Sequence, residues 1–104
     1  MVVVVFRSTL GPHAGADYSE MAAEMLARAK TMPGFVEFKS FKADDGERLS
    51  LVYWEDAETL RTWREDVRHR EAQRIGRERW YDSFRIDVAH IERSKRFTRD
   101  APDS

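Results

Sequence analysis

Apolar residues come in short runs at the start, middle and end of the chain, separated by stretches rich in turn formers and by two longer amphipathic segments. Val2 to Thr9 is β-branched and apolar, and Leu10-Gly11-Pro12-His13-Ala14-Gly15-Ala16 follows with small and turn-forming residues. This predicts a strand and then a loop. Asp17 is placed to cap a helix, with Glu20 three residues on completing a capping-box-like pair. Met21, Ala22, Met25, Leu26 and Ala29 then recur at helical spacing until Met32-Pro33-Gly34 stops the helix. Phe35 to Ala43 and Arg48 to Glu55 read as strands joined by Asp44-Asp45-Gly46, residues that tolerate the positive φ of a tight hairpin. Asp56 can cap a second helix whose buried stripe is Leu60, Trp63 and Val67, continuing past a kink through Ala72 and Ile75 toward Gly76. A last strand runs from about Phe84 to Glu92. From Ser94 the chain turns polar, so the tail from about residue 95 to 104 is expected to be loose unless a partner holds it.

The order βαββαβ predicts an α+β domain of ferredoxin-like architecture, an antiparallel sheet with both helices on one face. All 104 residues form one domain. A solvated sheet face shows polar residues at alternate positions, and these strands do not. Val2, Val4 and Phe6 alternate with Val3 and Val5; Phe35 and Phe41 with Val36 and Phe38; Leu49, Leu51 and Tyr53 with Val52 and Trp54; Phe84, Ile86 and Val88 with Ala89 and Ile91. Two helices cannot cover both faces. Leaving five or more large side chains in water forfeits several kcal/mol at roughly 25 cal/mol per Å². The pattern therefore predicts a homodimer packed sheet on sheet, with partial exchange of the last strand or tail.

Composition narrows the chemistry. Lys and Arg number 18 against 19 Asp and Glu, a balance that argues against a general polyanion binder. Seven arginines lie between Arg61 and Arg79, but Glu65, Asp66, Glu71 and Glu78 are interleaved at helical spacing, the pattern of a salt-bridged solvated face. No nucleic-acid partner is expected. The absence of cysteine excludes disulfides, a thiolate nucleophile and Cys-ligated metal. Val2-Val3-Val4-Val5-Phe6 is too short to span a bilayer and lacks the basic start of a secretory signal, so it reads as a strand of a cytoplasmic protein without a membrane partner.

Several segments together resemble the antibiotic biosynthesis monooxygenase domain, a small dimeric α+β barrel. They are Met32-Pro33-Gly34-Phe35, Trp54-Glu55-Asp56-Ala57-Glu58, Trp63-Arg64, His69, Ala72-Gln73-Arg74-Ile75-Gly76-Arg77, Trp80-Tyr81 and Ile86-Asp87-Val88-Ala89. The resemblance covers nearly the whole chain. That family includes cofactor-free oxygenases of aromatic polyketides, quinol oxygenases, haem-degrading enzymes and enzymes acting on signalling molecules, so membership leaves the reaction open. Resemblance to the cofactor-free members implies that an electron-rich phenol, anthrone or quinol is deprotonated and itself reduces oxygen. The protein then needs an apolar pocket, a base near neutrality and donors for the developing oxyanion. The cavity is expected between the sheet and the second helix.

His69 is the first candidate for base or proton shuttle, because imidazole titrates near neutrality without tuning. Its plain alternative is a helix-end histidine capping carbonyls. Trp63 is a candidate aromatic wall whose indole N–H can donate to a bound oxygen, or simply core packing. Tyr81 is a candidate phenolic proton donor. Tyr53, Trp54 and Trp80 are candidates for lining a flat aromatic site, although residues beside helix ends often just close a core. Arg85 is a candidate for steadying an anionic substrate, against the commoner role of a solvated edge arginine. His90 shares the parity of Ile86 and Val88 and reads as a structural histidine, and His13 as a loop residue. The three histidines are too far apart for metal spacing, so no metal and no cofactor are assigned.

The reading these features support is a cofactor-independent monooxygenase of an electron-rich aromatic. The alternative is a non-catalytic dimer that binds a small hydrophobic ligand, which needs the same cavity but no base. Haem degradation is disfavoured: in the related enzymes a histidine follows the second-helix tryptophan by ten residues and an asparagine lies on the first strand. Here that position is Gln73, and the chain has no asparagine. The dimer is checked by light scattering, where a stable species near 12.2 kDa at micromolar concentration refutes the covered-sheet argument.

Overall fold

In the computed structural model, residues 1–99 are described. The elements are β1 (Val2–Leu10), α1 (Ala16–Ala29), β2 (Phe35–Lys42), β3 (Arg48–Trp54), α2 (Ala57–Arg64), α3 (Val67–Ile75), a π-helical turn (Gly76–Trp80) and β4 (Tyr81–His90). The four strands form one antiparallel sheet in the order β2-β3-β1-β4. This is the α+β, ferredoxin-like topology the pattern predicts. No described helix is long and apolar enough to cross a membrane. Of the polar tail, residues 100–104 lie outside the described residues, and Ile91 to Arg99 takes no regular structure.

Two helix starts differ from expectation. The cap of α1 is Gly15, which makes no side-chain capping bond, whereas Asp17 lies in the first turn. Its carboxylate accepts from the indole Nε1 of Trp80 at 3.0 Å and lies 3.4 Å from Arg79, so it ties α1 to the π turn and does not pair with Glu20. The expected kink in the second helix is a full break. Asp56 caps α2 through Thr59 N at 2.8 Å, and Asp66, in extended conformation, caps α3 through His69 N at 3.0 Å. The break resets the helical phase. Val67, expected in the buried stripe, is 77% exposed, while Leu60, Trp63 and Ala72 are buried.

Paired residues on neighbouring strands share a face, so the register assigns the sides of the sheet. Val2 lies opposite Trp54 and His90, and Val4 opposite Val52 and Val88. Val2, Trp54, Val4 and Val52 pack with Ala29, Leu60, Trp63, Met25 and Met32, which identifies the helix side. A bulge at Val36 puts Phe35 and Phe38 on that side and Phe41 on the other, where strict alternation had grouped Phe35 with Phe41. Phe84, Ile86 and Val88 share the helix side with Ser8, Phe6 and Val4 across β1, yet stay 43%, 42% and 46% exposed. The helices thus cover β1 and β3 and leave β4 open. The outer face carries Val3, Val5, Leu49, Leu51, Tyr53 and Phe41, with the Arg7–Glu47 and Arg85–Asp87 pairs at its margins.

Gly34 and Gly46 both have positive φ, +85° and +94°. A Cβ on Gly34 would drive into the side chain of Thr59, whereas Gly46 faces open space. Gly46→Ala is expected to cost about 1 kcal/mol through backbone strain alone, and Gly34→Ala at least twice that, about 2 kcal/mol or more. Urea unfolding of both variants checks the difference; equal losses would show that Thr59 yields freely.

Candidate functional site

The break between α2 and α3 brings Trp63 and His69 together. Trp63 ends the buried stripe of α2, its ring 6.1 Å from that of Trp54 and tilted by 27°. The imidazole of His69 stacks on Trp63 at 4.3 Å with 19° between planes. His69 Nδ1 lies 3.3 Å from the main-chain carbonyl oxygen of Trp63. A carbonyl only accepts, so in the neutral ring Nδ1 carries the proton and Nε2 keeps its lone pair. Burial pushes the imidazole below its ordinary value, against the raising effects of the Trp63 carbonyl and the Asp66 carboxylate. His69 is therefore a neutral acceptor near pH 7, oriented by its own second nitrogen.

Trp54, directly beneath, is wholly buried, and its Nε1 finds no hydrogen-bond partner among the described residues. It supports Trp63 from the core and does not line an open surface.

A second aromatic group sits further along β1. Tyr81 leaves the π turn and meets Phe6 at 5.5 Å, Phe84 at 5.8 Å and Tyr18 at 6.0 Å. Gly76 is required beneath it, because a Cβ there would lie 2.6 Å from the Tyr81 ring. Burial, with Tyr18 adding to it, raises the Tyr81 phenol well above the ordinary range, so it is a proton donor and not a base. Trp80 is buried, with its indole N–H committed to Asp17, and acts as a strut. About 13 Å of strand separates Val2, under the Trp54 end, from Phe6, under the Tyr81 end. Between the two ends lies the open strip of Phe84, Ile86 and Val88 beside Val4 and Phe6.

The remaining residues singled out in the sequence go elsewhere. Tyr53 pairs with Val3 and Arg85 with Arg7, which places both on the outer face, and Arg85 donates to Asp87 at 2.8 Å. The structure does not bring either to His69. His90 is exposed at the end of β4, and His13 is exposed in the turn after β1. A surface concavity of about 340 Å³ runs along α3 and the π turn, lined by Val67, Arg70, Glu71, Gln73, Arg74 and Arg77. It is not the expected cavity between sheet and helix. Among the described residues, no cluster of three or more His, Cys, Asp or Glu could hold a metal ion.

Sequence reasoning missed Asp66 as the cap before His69, Arg28 as its partner, and the exposure of Phe84, Ile86 and Val88 on the helix side. Asp66 was legible as a capping residue three positions before His69, but its partner Arg28 lies 38 residues away and only the fold supplies it.

A family model described as antibiotic biosynthesis monooxygenase matches residues 1–75. The chain is 31% identical over 86 residues to the uncharacterized protein YqjZ of Bacillus subtilis (strain 168), covering 83% of this chain and 75% of that one. It is 28% identical over 98 residues to the jasmonate monooxygenase ABM of Pyricularia oryzae, covering 92% of this chain but 46% of that protein, so it spans about half of that relative. Among solved structures, SnoaB, a cofactor-independent oxygenase from Streptomyces nogalater, superposes with a TM-score of 0.74 at 18% identity. That match covers 89% of this chain and 94% of the other and shows a shared fold.

Because burial lowers the proton affinity of His69, the unfolded chain binds that proton more tightly than the folded one. Stability contributed by the neutral ring is present above the unfolded value of about 6.5 and is lost as pH falls toward the folded value. The expected NMR titration midpoint of His69 lies below about 6.5, and His69→Gln flattens the pH dependence of stability in that window. A midpoint at or above 6.5 would show that the ring is solvated.

Proposed function

Since the chain belongs to the antibiotic biosynthesis monooxygenase family, we propose that it is a cofactor-independent monooxygenase acting on a flat, electron-rich aromatic such as a phenol, anthrone or quinol. The observation that carries this reading is the fixed tautomer of a half-buried His69 stacked on Trp63, with Nε2 left as a free base. The uncovered strip of Phe84, Ile86 and Val88 is a floor of the right character for an apolar ring system. The likeness to a cofactor-independent oxygenase and to a jasmonate monooxygenase supports the same class of chemistry.

In this reading His69 Nε2 takes the acidic proton of the substrate, leaving an electron-rich anion. The anion gives its electrons to dioxygen, and a carbon–oxygen bond forms as a peroxide. For an anthrone, loss of water from the peroxide leaves the quinone: one oxygen atom stays on carbon, and the other departs as water with the two hydrogens of the methylene. The substrate supplies every electron. Trp63 forms the wall against which the base is held, and the protonated Tyr81 phenol donates to developing negative charge at the far end of the strip. The outer face, with Val3, Val5, Leu49, Leu51, Tyr53 and Phe41, is where a second copy packs to form a homodimer.

A binding role without chemistry would use the same strip and leave His69 idle. Oxygen consumption by metal-free protein on a panel of anthrones, naphthoquinols and catechols separates the two. Turnover without added cofactor is expected, and His69→Ala should lower kcat about 100-fold or more while ligand binding persists. Full activity in that variant removes His69 as base. Binding without oxygen uptake on any member of the panel establishes the carrier.

A further inference from the structure

Two forked ion pairs join α1 to the start of α3. Arg28 Nε and Nη2 each donate at 2.9 Å to the two oxygens of Asp66. Arg68 binds Glu24 through Nε and Nη2 in the same way, the second bond at 2.9 Å. Glu24 and Arg28 are one helical turn apart on α1, and Asp66 caps α3 while Arg68 lies in its first turn. Each helix therefore presents one carboxylate and one guanidinium, and only one alignment pairs opposites; sliding a helix by a turn sets like charges together. Exposed ion pairs add little stability one at a time, but forked geometry fixes orientation.

Asp66 is the more telling of the two carboxylates. It is largely sheltered where Arg28 is open, and the oxygen that binds Arg28 Nε also accepts the backbone N–H of His69 at 3.0 Å. One carboxylate thus connects α1, the α2–α3 break and the imidazole. The geometry points to Arg28 and Asp66 as positioning residues for His69, holding the helix break at the angle where the ring stacks on Trp63 with Nδ1 on the Trp63 carbonyl. This rests on the reading of His69 as the base. An electrostatic consequence follows. Burial lowers the imidazole while the Asp66 carboxylate favours its protonated form, and the Arg28 guanidinium forked onto Asp66 offsets part of that negative charge, so burial prevails while the carboxylate performs its capping role.

Around His69, from α1 come Arg28, engaged with Asp66, and Glu24, engaged with Arg68. From α2 comes the Trp63 carbonyl, with Glu65 exposed at the break. From α3 itself come Asp66 and Arg68, the latter also 3.4 Å from Glu71. Removing one member of the Arg28–Asp66 pair leaves the other unbalanced, and the two removals have opposite signs.

The test is an NMR titration of the His69 imidazole in the intact chain, with its signal identified by loss in His69→Gln. Three variants are compared: Arg28→Met, which keeps the apolar stem; Asp66→Asn, which keeps a capping oxygen; and Glu24→Gln, which disturbs the other pair. The midpoint is expected to rise in Arg28→Met and to fall in Asp66→Asn, each by about half a pH unit, and to stay in Glu24→Gln. A clamp that merely holds the fold would, when loosened, hydrate the ring and raise the midpoint in both of the first two variants. A rise or no change in Asp66→Asn therefore overturns the proposal. In turnover, Arg28→Met should lower kcat several-fold with KM nearly unchanged, and a loss confined to KM also counts against it. The titration needs no substrate. Opposed shifts in a protein that consumes no oxygen would sustain the positioning pair and reject the oxygenase, whereas oxygenase activity without them would do the reverse.

Discussion

The ring of Trp63 meets Trp54 on the core side and His69 on the other, at 6.1 Å and 4.3 Å, and both the packing of the sheet and the placement of the imidazole depend on that contact. Trp54 fills the corner where β3 ends, with Val2 beside it and Phe35 edge-on at 5.7 Å. Aromatic contacts of this kind carry large buried area together with a preferred geometry, so they fix orientation as well as add stability. Trp63 continues that order one layer outward. By the time the chain reaches His69, the imidazole has a flat surface to lie on and a carbonyl to bind, and one of its two nitrogens is spoken for.

The break at Glu65-Asp66 makes this possible. An unbroken helix from Asp56 would carry residue 69 some 240° around from residue 63... a separation of six residues at 100° each, and the two rings could not stack. Asp66 ends one helix phase and starts another by offering its side chain to the new first turn. The same carboxylate meets Arg28, so the site is held from α1 as well. A surface ion pair that would count for little as stability gains importance from what it aligns.

Coverage of the sheet sets the other constraint. With α2 and α3 short and separated by a break, the helix layer shelters β1 and β3 and leaves the edge strand β4 with Phe84, Ile86 and Val88 in the open. Burying those residues against a ligand and the outer face against a second copy would satisfy two separate apolar surfaces, one on each side of the sheet. Tyr53 and Arg85 belong to the second of these, not to the neighbourhood of His69.

The amino-acid sequence by itself determined the order of elements, the antiparallel α+β topology, the hairpin at Asp44-Asp45-Gly46 and the presence of more apolar strand surface than two helices can cover. These follow from local propensities and from periods of two and 3.6 residues, which act over a few neighbours. It also singled out Trp63 and His69 as residue types suited to the chemistry. Only the tertiary structure decided that these two stack, that Val67 faces outward, that the Val36 bulge moves Phe38 to the helix side, and that Phe84, Ile86 and Val88 of β4 share the helix-side face yet stay uncovered. Each depends on a phase reset by a single residue, or on a partner such as Arg28 for Asp66 and Trp80 for Asp17, brought close by folding from 38 and 63 positions away. Periodicity predicts which residues are apolar together, but a break or a bulge changes which side they face, and long-range pairing is set by how the finished layers meet.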